Sequence, residues 1–359
     1  MKEGGGPQPA PGKAQQNSTC HASGPKEAVK SERTAPQVGD VVGGYLLNEK
    51  IGQGSFGVVF TGYKDITQRR VAIKVETCTE TSVSQLENEY ETYKQLKGFS
   101  GFPKIEKFGD FEGYKYLVME HLGVSIEDMH NIRNRHFCIK TVFMLGKRMV
   151  DLVELLHSIG KIHRDIKPDN FLVGRDPKKL FLVDLGMCKG YIRNGQHLVC
   201  SSGKRLTGTP RYASINSHRG LELSRRDDLE SIGYVMIYLA NGRLPWQGIK
   251  MSKREKCKII GDMKKNLKIE EMTKNLPGSK RIVEYFAYVR ELEFDSTPDY
   301  GYLRSLMDKA LLENNLVDDG VFEWEHVFKD TGEETHRDTP EKERSVMSRI
   351  KKAIFCCFK

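Results

Sequence analysis

Between Tyr45 and about Thr81 the apolar residues come in short β-branched runs broken by glycines, YLLNEKIG, VVFTGYK and VAIKVE, a pattern that predicts antiparallel strands. Residues 84–97 change period. Leu86, Tyr90, Tyr93 and Leu96 recur at helical spacing, so a helix is expected there, followed by one more strand, YKYLVMEHL. Beyond Ser125 the period is mostly helical. Residues 140–158 (KTVFMLGKRMVDLVELLHS) make an amphipathic helix, whereas residues 228–240 (DLESIGYVMIYLA) are apolar on almost every side, as expected of a helix at the centre of a large unit. Between them HRDIKPDNFLVG and KLFLVDLGMCKG set charged residues directly against apolar runs. The chain therefore reads as α+β, with a small strand-rich first half carrying one helix and a larger, mainly helical second half. No internal repeat is visible.

The pattern fades at both ends. Residues 1–40 are rich in Gly, Pro, Ser, Gln and Lys and carry almost no large apolar side chains, so a disordered tail is expected. Residues 41–330 form the expected folded part, divided near residue 122 into 41–122 and 123–330; residues 331–359 are a charged linker and a basic tail. A length of 359 residues is enough for about two folded units. The net charge of +9 favours anionic partners without choosing among phosphate groups, acidic peptides, nucleic acid and an anionic membrane. No apolar run approaches the ~20 residues needed to cross a bilayer, and the N-terminus lacks the apolar stretch of a secretory signal. The eight cysteines include no C-x-x-C pair, which speaks against a zinc site or a disulfide framework and for a reducing, intracellular compartment.

Chemistry enters with Ile51-Gly52-Gln53-Gly54-Ser55-Phe56-Gly57-Val58-Val59, a G-x-G-x-x-G-x-V run. Glycines let a backbone approach phosphate oxygens, and flanking β-branched residues can cover an adenine. A dinucleotide-binding turn has a similar form but opens into a helix, and VVFTGYK reads as a strand. Fifteen residues past Val59, Lys74 ends the apolar run Val71-Ala72-Ile73, where an ammonium needs anions to offset its burial. Glu89, on the following helix, is the candidate partner; Glu87 and Glu91 are surface alternatives. The run from His163 to Asn170 then supplies an H-R-D-x-x-x-x-N spacing: Asp165 to accept a hydroxyl proton, Lys167 to steady a transferring phosphoryl group and Asn170 to bind Mg²⁺. Fourteen residues further on, Asp184-Leu185-Gly186 adds a second metal-binding carboxylate after the strand KLFLV.

With these four motifs in this order, the sequence resembles the eukaryotic protein kinases and, within them, the casein kinase I family, over residues 44–328. The family-specific segments are Leu206 to Asn216 (LTGTPRYASIN), Ser224 to Ser231 (SRRDDLES), Leu244-Pro245-Trp246-Gln247-Gly248, and Phe294-Asp295 followed by Pro298-Asp299-Tyr300. Ser214-Ile215-Asn216 stands where most kinases have Ala-Pro-Glu. The resemblance implies a two-lobed fold, with ATP and Mg²⁺ as cofactors. Lys74 would contact phosphates and pair with Glu89, and Asp228 would brace the catalytic loop from below. Leu117 to Gly123 (LVMEHLG) would join the lobes, with Met119, Glu120 and Leu122 facing the adenine beside Ala72 and Leu172. The family favours serine or threonine sites preceded by acidic or phosphorylated residues, read by a pocket that maps here onto Arg211, Gln247 and Gly248. A pocket lysine of the family falls on Cys257. Lys204 and Arg205 either strengthen that pocket or form a solvated basic face. Leu185 replaces the commoner Phe of D-F-G, and Pro210 the family's usual Ala. A scaffold that binds nucleotide without transferring phosphate is the rival reading, and four intact catalytic positions weigh against it. Nucleic-acid binding is not expected, since no aromatic-and-basic recognition run accompanies the charge. A monomer is expected.

The tail from Arg344 to Lys359 (RSVMSRIKKAIFCCFK) holds five basic residues and no acidic one. Adjacent Cys356 and Cys357 beside such a segment suggest S-palmitoylation, since paired acyl chains plus basic charge are what hold a protein on an anionic leaflet. The tail resembles those of membrane-attached casein kinase I members. The expected location is cytoplasmic, peripheral on the cytoplasmic face of a membrane. A free basic tail that binds a protein partner is the alternative.

Overall fold

The computed structural model describes residues 35–54, 57–64, 69–77 and 84–325. Six strands form one antiparallel sheet in the order β1-β2-β3-β4-β6-β5: β1 (Val41–Val42), β2 (Tyr45–Gly54), β3 (Gly57–Lys64), β4 (Arg70–Thr77), β5 (Ile105–Phe111) and β6 (Tyr114–Glu120). Alternation sends Leu47, Phe60, Val71, Ile73, Val75 and Val118 into one small core on a single face. Helix α1 (Gln85–Gln95) packs on the other face. Its start is well specified: the Ser84 hydroxyl accepts from Glu87 N at 3.1 Å, and the Glu76 carboxylate accepts from Gln85 N at 3.1 Å and Leu86 N at 2.9 Å, so the first turn's orphan N–H groups are met.

The second lobe is helical, as its periodicity implies. In chain order it holds α2 (Ile126–Ile132), α3 (Ile139–Ser158), α4 (Ile215–His218), α5 (Arg225–Asn241), α6 (Lys253–Asn266), α7 (Ile269–Thr273), α8 (Ser279–Glu291) and α9 (Tyr300–Glu313). Every residue of α5 from Asp227 to Ala240 is buried, and α3, α8 and α4 pack around it. Close approach of α3 and α5 depends on Gly146, where a Cβ would stand 2.5 Å from Met236 Sδ. Short strand pairs carry the charged units at the lobe's upper edge: β7 (Lys161–Ile162) with β10 (Lys189–Gly190), and β8 (Phe171–Val173) with β9 (Leu180–Leu182). A small hairpin, β11 (Ile192–Arg193) and β12 (Gln196–His197), follows them. No helix of the described residues is long and apolar enough to cross a membrane.

Buried histidine makes this lobe sensitive to acid. His130 is fully buried, with Nε2 3.1 Å from the Leu239 carbonyl, and burial pushes its pKa down to about 4. The unfolded chain takes up this proton below about pH 6.5 and the folded chain only near pH 4. Stability from this group is therefore lost as pH falls through that window. Asp227, pushed up to about 6 by burial, works in the opposite sense over part of it. His130→Gln, which keeps a donor for Leu239, is expected to flatten the melting-temperature profile between pH 6.5 and 4 by several degrees; an unchanged slope in differential scanning fluorimetry would remove His130 from this role.

Candidate active site

Three elements converge on Lys74. Alternation along β4 buries Val71, Ile73 and Val75 in the sheet core and turns Ala72 and Lys74 to the opposite face. There Lys74 Nζ lies 2.6 Å from Glu89 Oε2 and 2.7 Å from Asp184 Oδ1. Helix geometry selects Glu89 over its neighbours: α1 buries Leu86, Glu89 and Tyr93 on one side, while Glu87 is exposed and Glu91 pairs with Lys94 at the surface. Burial alone would depress the Lys74 pKa, but the two carboxylates outweigh it and hold the ammonium above its ordinary value. Complete burial pushes the Glu89 carboxyl up against the pull of Lys74. Asp184 ends below its usual range because Lys74 outweighs its burial. Asp184 also has a left-handed backbone (φ 61°), which a non-glycine residue adopts only when its surroundings enforce it. Those surroundings include Glu89 Oε1, which accepts from Leu185 N at 3.3 Å, and the Asn88 amide, which donates to the Gly186 and Cys188 carbonyls at 2.9 Å each.

Asp165 is 8% exposed, with both oxygens committed. Its Oδ1 accepts from Thr209 N at 2.7 Å and Thr209 Oγ1 at 2.8 Å, and its Oδ2 accepts from Lys167 Nζ at 2.7 Å. The Asn170 amide nitrogen donates to the Asp165 carbonyl at 2.9 Å, which leaves the amide oxygen as a possible ligand. With the Asp184 carboxylate it makes a pair of hard oxygen donors, a set that suits Mg²⁺, which takes few protein ligands and draws the rest from phosphates and water. Among the described residues no group of three or more His, Cys, Asp or Glu side chains could hold a metal ion on its own.

Asp228 sits beneath this loop. It accepts from His163 N at 2.7 Å, Arg164 N at 2.9 Å and His157 Nε2 at 3.0 Å, and these donors hold its pKa down against complete burial. Burial pushes the His157 pKa down, and its Nδ1 lies 2.7 Å from Tyr300 Oη. Arg164, directly before Asp165, is left-handed at φ 70°.

Above the loop, partly exposed apolar side chains mark a slot. Ile51 is 46% exposed, and Val59, Ala72 and Leu172 are half-buried, whereas Met119 and Leu122 are buried. Gly123 N donates to the Val173 carbonyl at 2.8 Å, which ties the segment after Glu120 to β8. Gly52, Gln53 and Gly54 end β2 and Gly57 begins β3, where φ is 141° and a Cβ would fall 2.1 Å from the Val75 carbonyl oxygen. Ser55 and Phe56 lie outside the described residues, as do Cys356 and Cys357.

On the substrate side, the Arg211 guanidinium stands 5.6 Å from the rings of Tyr212 and Tyr238, and its carbonyl accepts from Trp246 Nε1 at 2.8 Å. Arg211 is thereby joined to the segment carrying Gln247 and Gly248. Lys204 goes elsewhere: it pairs with Glu222 at 3.3 Å, a carboxylate it shares with Lys189 at 2.7 Å. The structure thus does not join Lys204 to the Arg211 group.

Thr209 and Lys264 are contributors to which sequence reasoning gave no role. Lys264 is 1% exposed, yet it is a lysine. Its Nζ donates to the Pro210 carbonyl at 2.9 Å and the Ala213 carbonyl at 2.5 Å, on either side of Arg211, and lies 4.6 Å from the Tyr234 ring and 5.0 Å from that of Trp246. Burial pushes the Lys264 pKa down to about 7, and its amine pins the loop that carries Arg211 through these two carbonyls. Lys264→Met is expected to raise the KM for an acidic peptide about tenfold while leaving the KM for ATP unchanged, with a loss of stability of about 1–3 kcal/mol for each of the two carbonyls left without a donor. Steady-state kinetics with a melting curve checks this; an unchanged peptide KM would make Lys264 mere packing.

Residues 45–315 match the protein kinase domain family, and the chain belongs to it. The small antiparallel lobe and the helical lobe are the two-lobed kinase fold that the motifs imply. Within that class the chain is similar to Casein kinase I homolog 2 of Schizosaccharomyces pombe (strain 972), 42% identical over 287 residues that cover 78% of this chain and 65% of that protein. The chain thus spans a little under two thirds of that relative's length, and the relative bears out the resemblance to the casein kinase I family.

Proposed function

We propose that this chain is a serine/threonine protein kinase of casein kinase I type. It transfers the γ-phosphoryl group of ATP to acidic or phosphate-primed protein sites, works as a monomer, and is tethered by its C-terminal tail to the cytoplasmic face of a membrane. The observation that carries the catalytic part is Lys74 bridging Glu89 and Asp184 while Thr209 fixes Asp165. Mg²⁺, when bound, would neutralise charge on the β- and γ-phosphates, with Asn170 and Asp184 as its protein ligands. Asp165, held through Oδ1, orients the substrate hydroxyl and takes its proton on Oδ2. Lys167, beside that oxygen, steadies the transferring phosphoryl group. Lys74 positions the α- and β-phosphates. Arg211 faces residues upstream of the target.

The test is Mg-ATP-dependent phosphate transfer to casein, and to peptides with and without a phosphoserine three residues before the target. Transfer favouring the primed peptide is expected; ATP binding without transfer would replace the kinase with a nucleotide-binding scaffold. For the tail, Cys356→Ser/Cys357→Ser is expected to move the protein from the membrane to the soluble fraction of cells, and unchanged fractionation would reject the anchor.

A further inference from the structure

A cavity of about 370 Å³ opens between α4 and α6 beside the loop that holds Asp165. Leu206 lines it, three residues before Thr209. The loop between them is fastened to α4, since Ser217 Oγ accepts from Thr207 N at 3.3 Å and donates to the Thr207 carbonyl at 3.0 Å. Three extended residues span at most about 10 Å, so the cavity is within one to three peptide residues of a hydroxyl placed at Asp165.

Its charge is mostly positive. Arg219, Arg254, Lys258 and Lys265 line it against a single carboxylate, Asp262. All five are exposed, and none makes an ion pair among the described residues. Some basic side chains elsewhere in this lobe do find acids, as Lys147 does with Asp308 and Asp318, and Arg281 with Glu284 and Glu313. Four cations facing one concavity raise a local positive potential that is relieved by an incoming anion. His218 on the wall adds no charge: burial holds its pKa down to about 4, and its ring spans the Cys257 carbonyl at 3.0 Å and the Pro210 carbonyl at 3.2 Å. The cavity wall is thus joined to the loop of Arg211 from behind.

Cys257 lines this cavity, but Arg211 does not. Its guanidinium is over Tyr238, whose hydroxyl donates to Glu127 of α2 at 2.9 Å. Arg211 thus lies toward α2 while the cavity lies between α4 and α6, and a substrate extended across Asp165 would carry different residues to the two. Under the reading given above, Arg211 takes the upstream side, and the inference rests on it.

We propose that the α4–α6 cavity is a second substrate subsite, which binds an acidic or phosphorylated side chain one to three residues downstream of the target hydroxyl. The experiment uses the full chain and a peptide set built on one neutral parent: the parent itself, an Asp three residues upstream, an Asp at each of the three downstream positions, and a phosphoserine at the best of these. KM is measured for transfer, and affinity by fluorescence anisotropy, which needs no turnover. A downstream acid is expected to lower KM and Kd about five- to twentyfold at low salt, less as ionic strength rises. Arg219→Ala/Lys258→Ala is expected to abolish that gain and keep the upstream preference. Asp262→Asn, which removes the opposing charge, is expected to enlarge it. Equal affinity for parent and downstream-acid peptides, or a gain that survives in the double variant, would overturn the subsite. Loss of the upstream preference in wild type, with the downstream gain intact, would instead count against the role of Arg211 and leave the cavity standing.

Discussion

Asp165→Asn is expected to lower kcat by about three orders of magnitude while changing the KM for ATP less than twofold. The asymmetry follows from the geometry. Asn is nearly isosteric, so an oxygen can still meet Thr209 N and Thr209 Oγ1, and the loop keeps its shape. The other position becomes an NH₂ facing the Lys167 ammonium, which Oδ2 now accepts at 2.7 Å. That exchange sets donor against donor and removes the atom that takes the hydroxyl proton. The nucleotide positions are separate, since Lys74 is tied to Glu89 and Asp184 rather than to Asp165. Phosphate transfer measured with radiolabelled ATP, alongside ATP binding by calorimetry, reads both halves. Turnover within tenfold of wild type would take the proton-accepting role away from Asp165, and loss of ATP binding would mean that the substitution damages the lobe.

Much of this site is legible in the sequence because its chemistry is local. Asp165, Lys167 and Asn170 fall within six residues, and the apolar alternation of β4 announces that Lys74 lies on the face away from the core, although it stands within the strand, which runs on to Thr77, rather than at its end. The central helix is legible for a similar reason, since a run apolar on all sides has only one place to go. Contacts between distant segments are not encoded this way. Lys264 stands in the run Met263-Lys264-Lys265-Asn266, which by composition is a solvated helix end, and only the packing of α6 against the loop at Pro210 and Ala213 makes it a buried donor. Thr209 has the same history: nothing in Thr207-Gly208-Thr209 says that its hydroxyl meets a carboxylate 44 positions earlier. Lys204 is a further case. Its nearness in sequence to Arg211 allows either one basic pocket or a solvated basic face, and its ion pair is with Glu222, because charge proximity along a chain does not fix which acid a side chain reaches.

Asp228→Ala is expected to be the most damaging single change for stability and activity together. It strips an acceptor from His163 N, Arg164 N and His157 Nε2 at a site without solvent, and buried donors left without acceptors cost about 1–3 kcal/mol each. A total of about 3–5 kcal/mol is expected, enough to lower the melting temperature by about 10 °C. Asp228→Asn separates the two consequences. It retains the volume and one acceptor oxygen, so the chain should fold at 25 °C, yet the amide NH₂ must face either the His163 or the Arg164 N–H. Arg164 holds its left-handed conformation only while those hydrogen bonds persist, and Asp165 is the next residue. Turnover of the Asn variant should therefore fall tenfold or more at a temperature where circular dichroism shows it fully folded, with ATP binding intact. A folded Asn variant with wild-type turnover would show that Asp228 holds the lobe together without setting the catalytic loop.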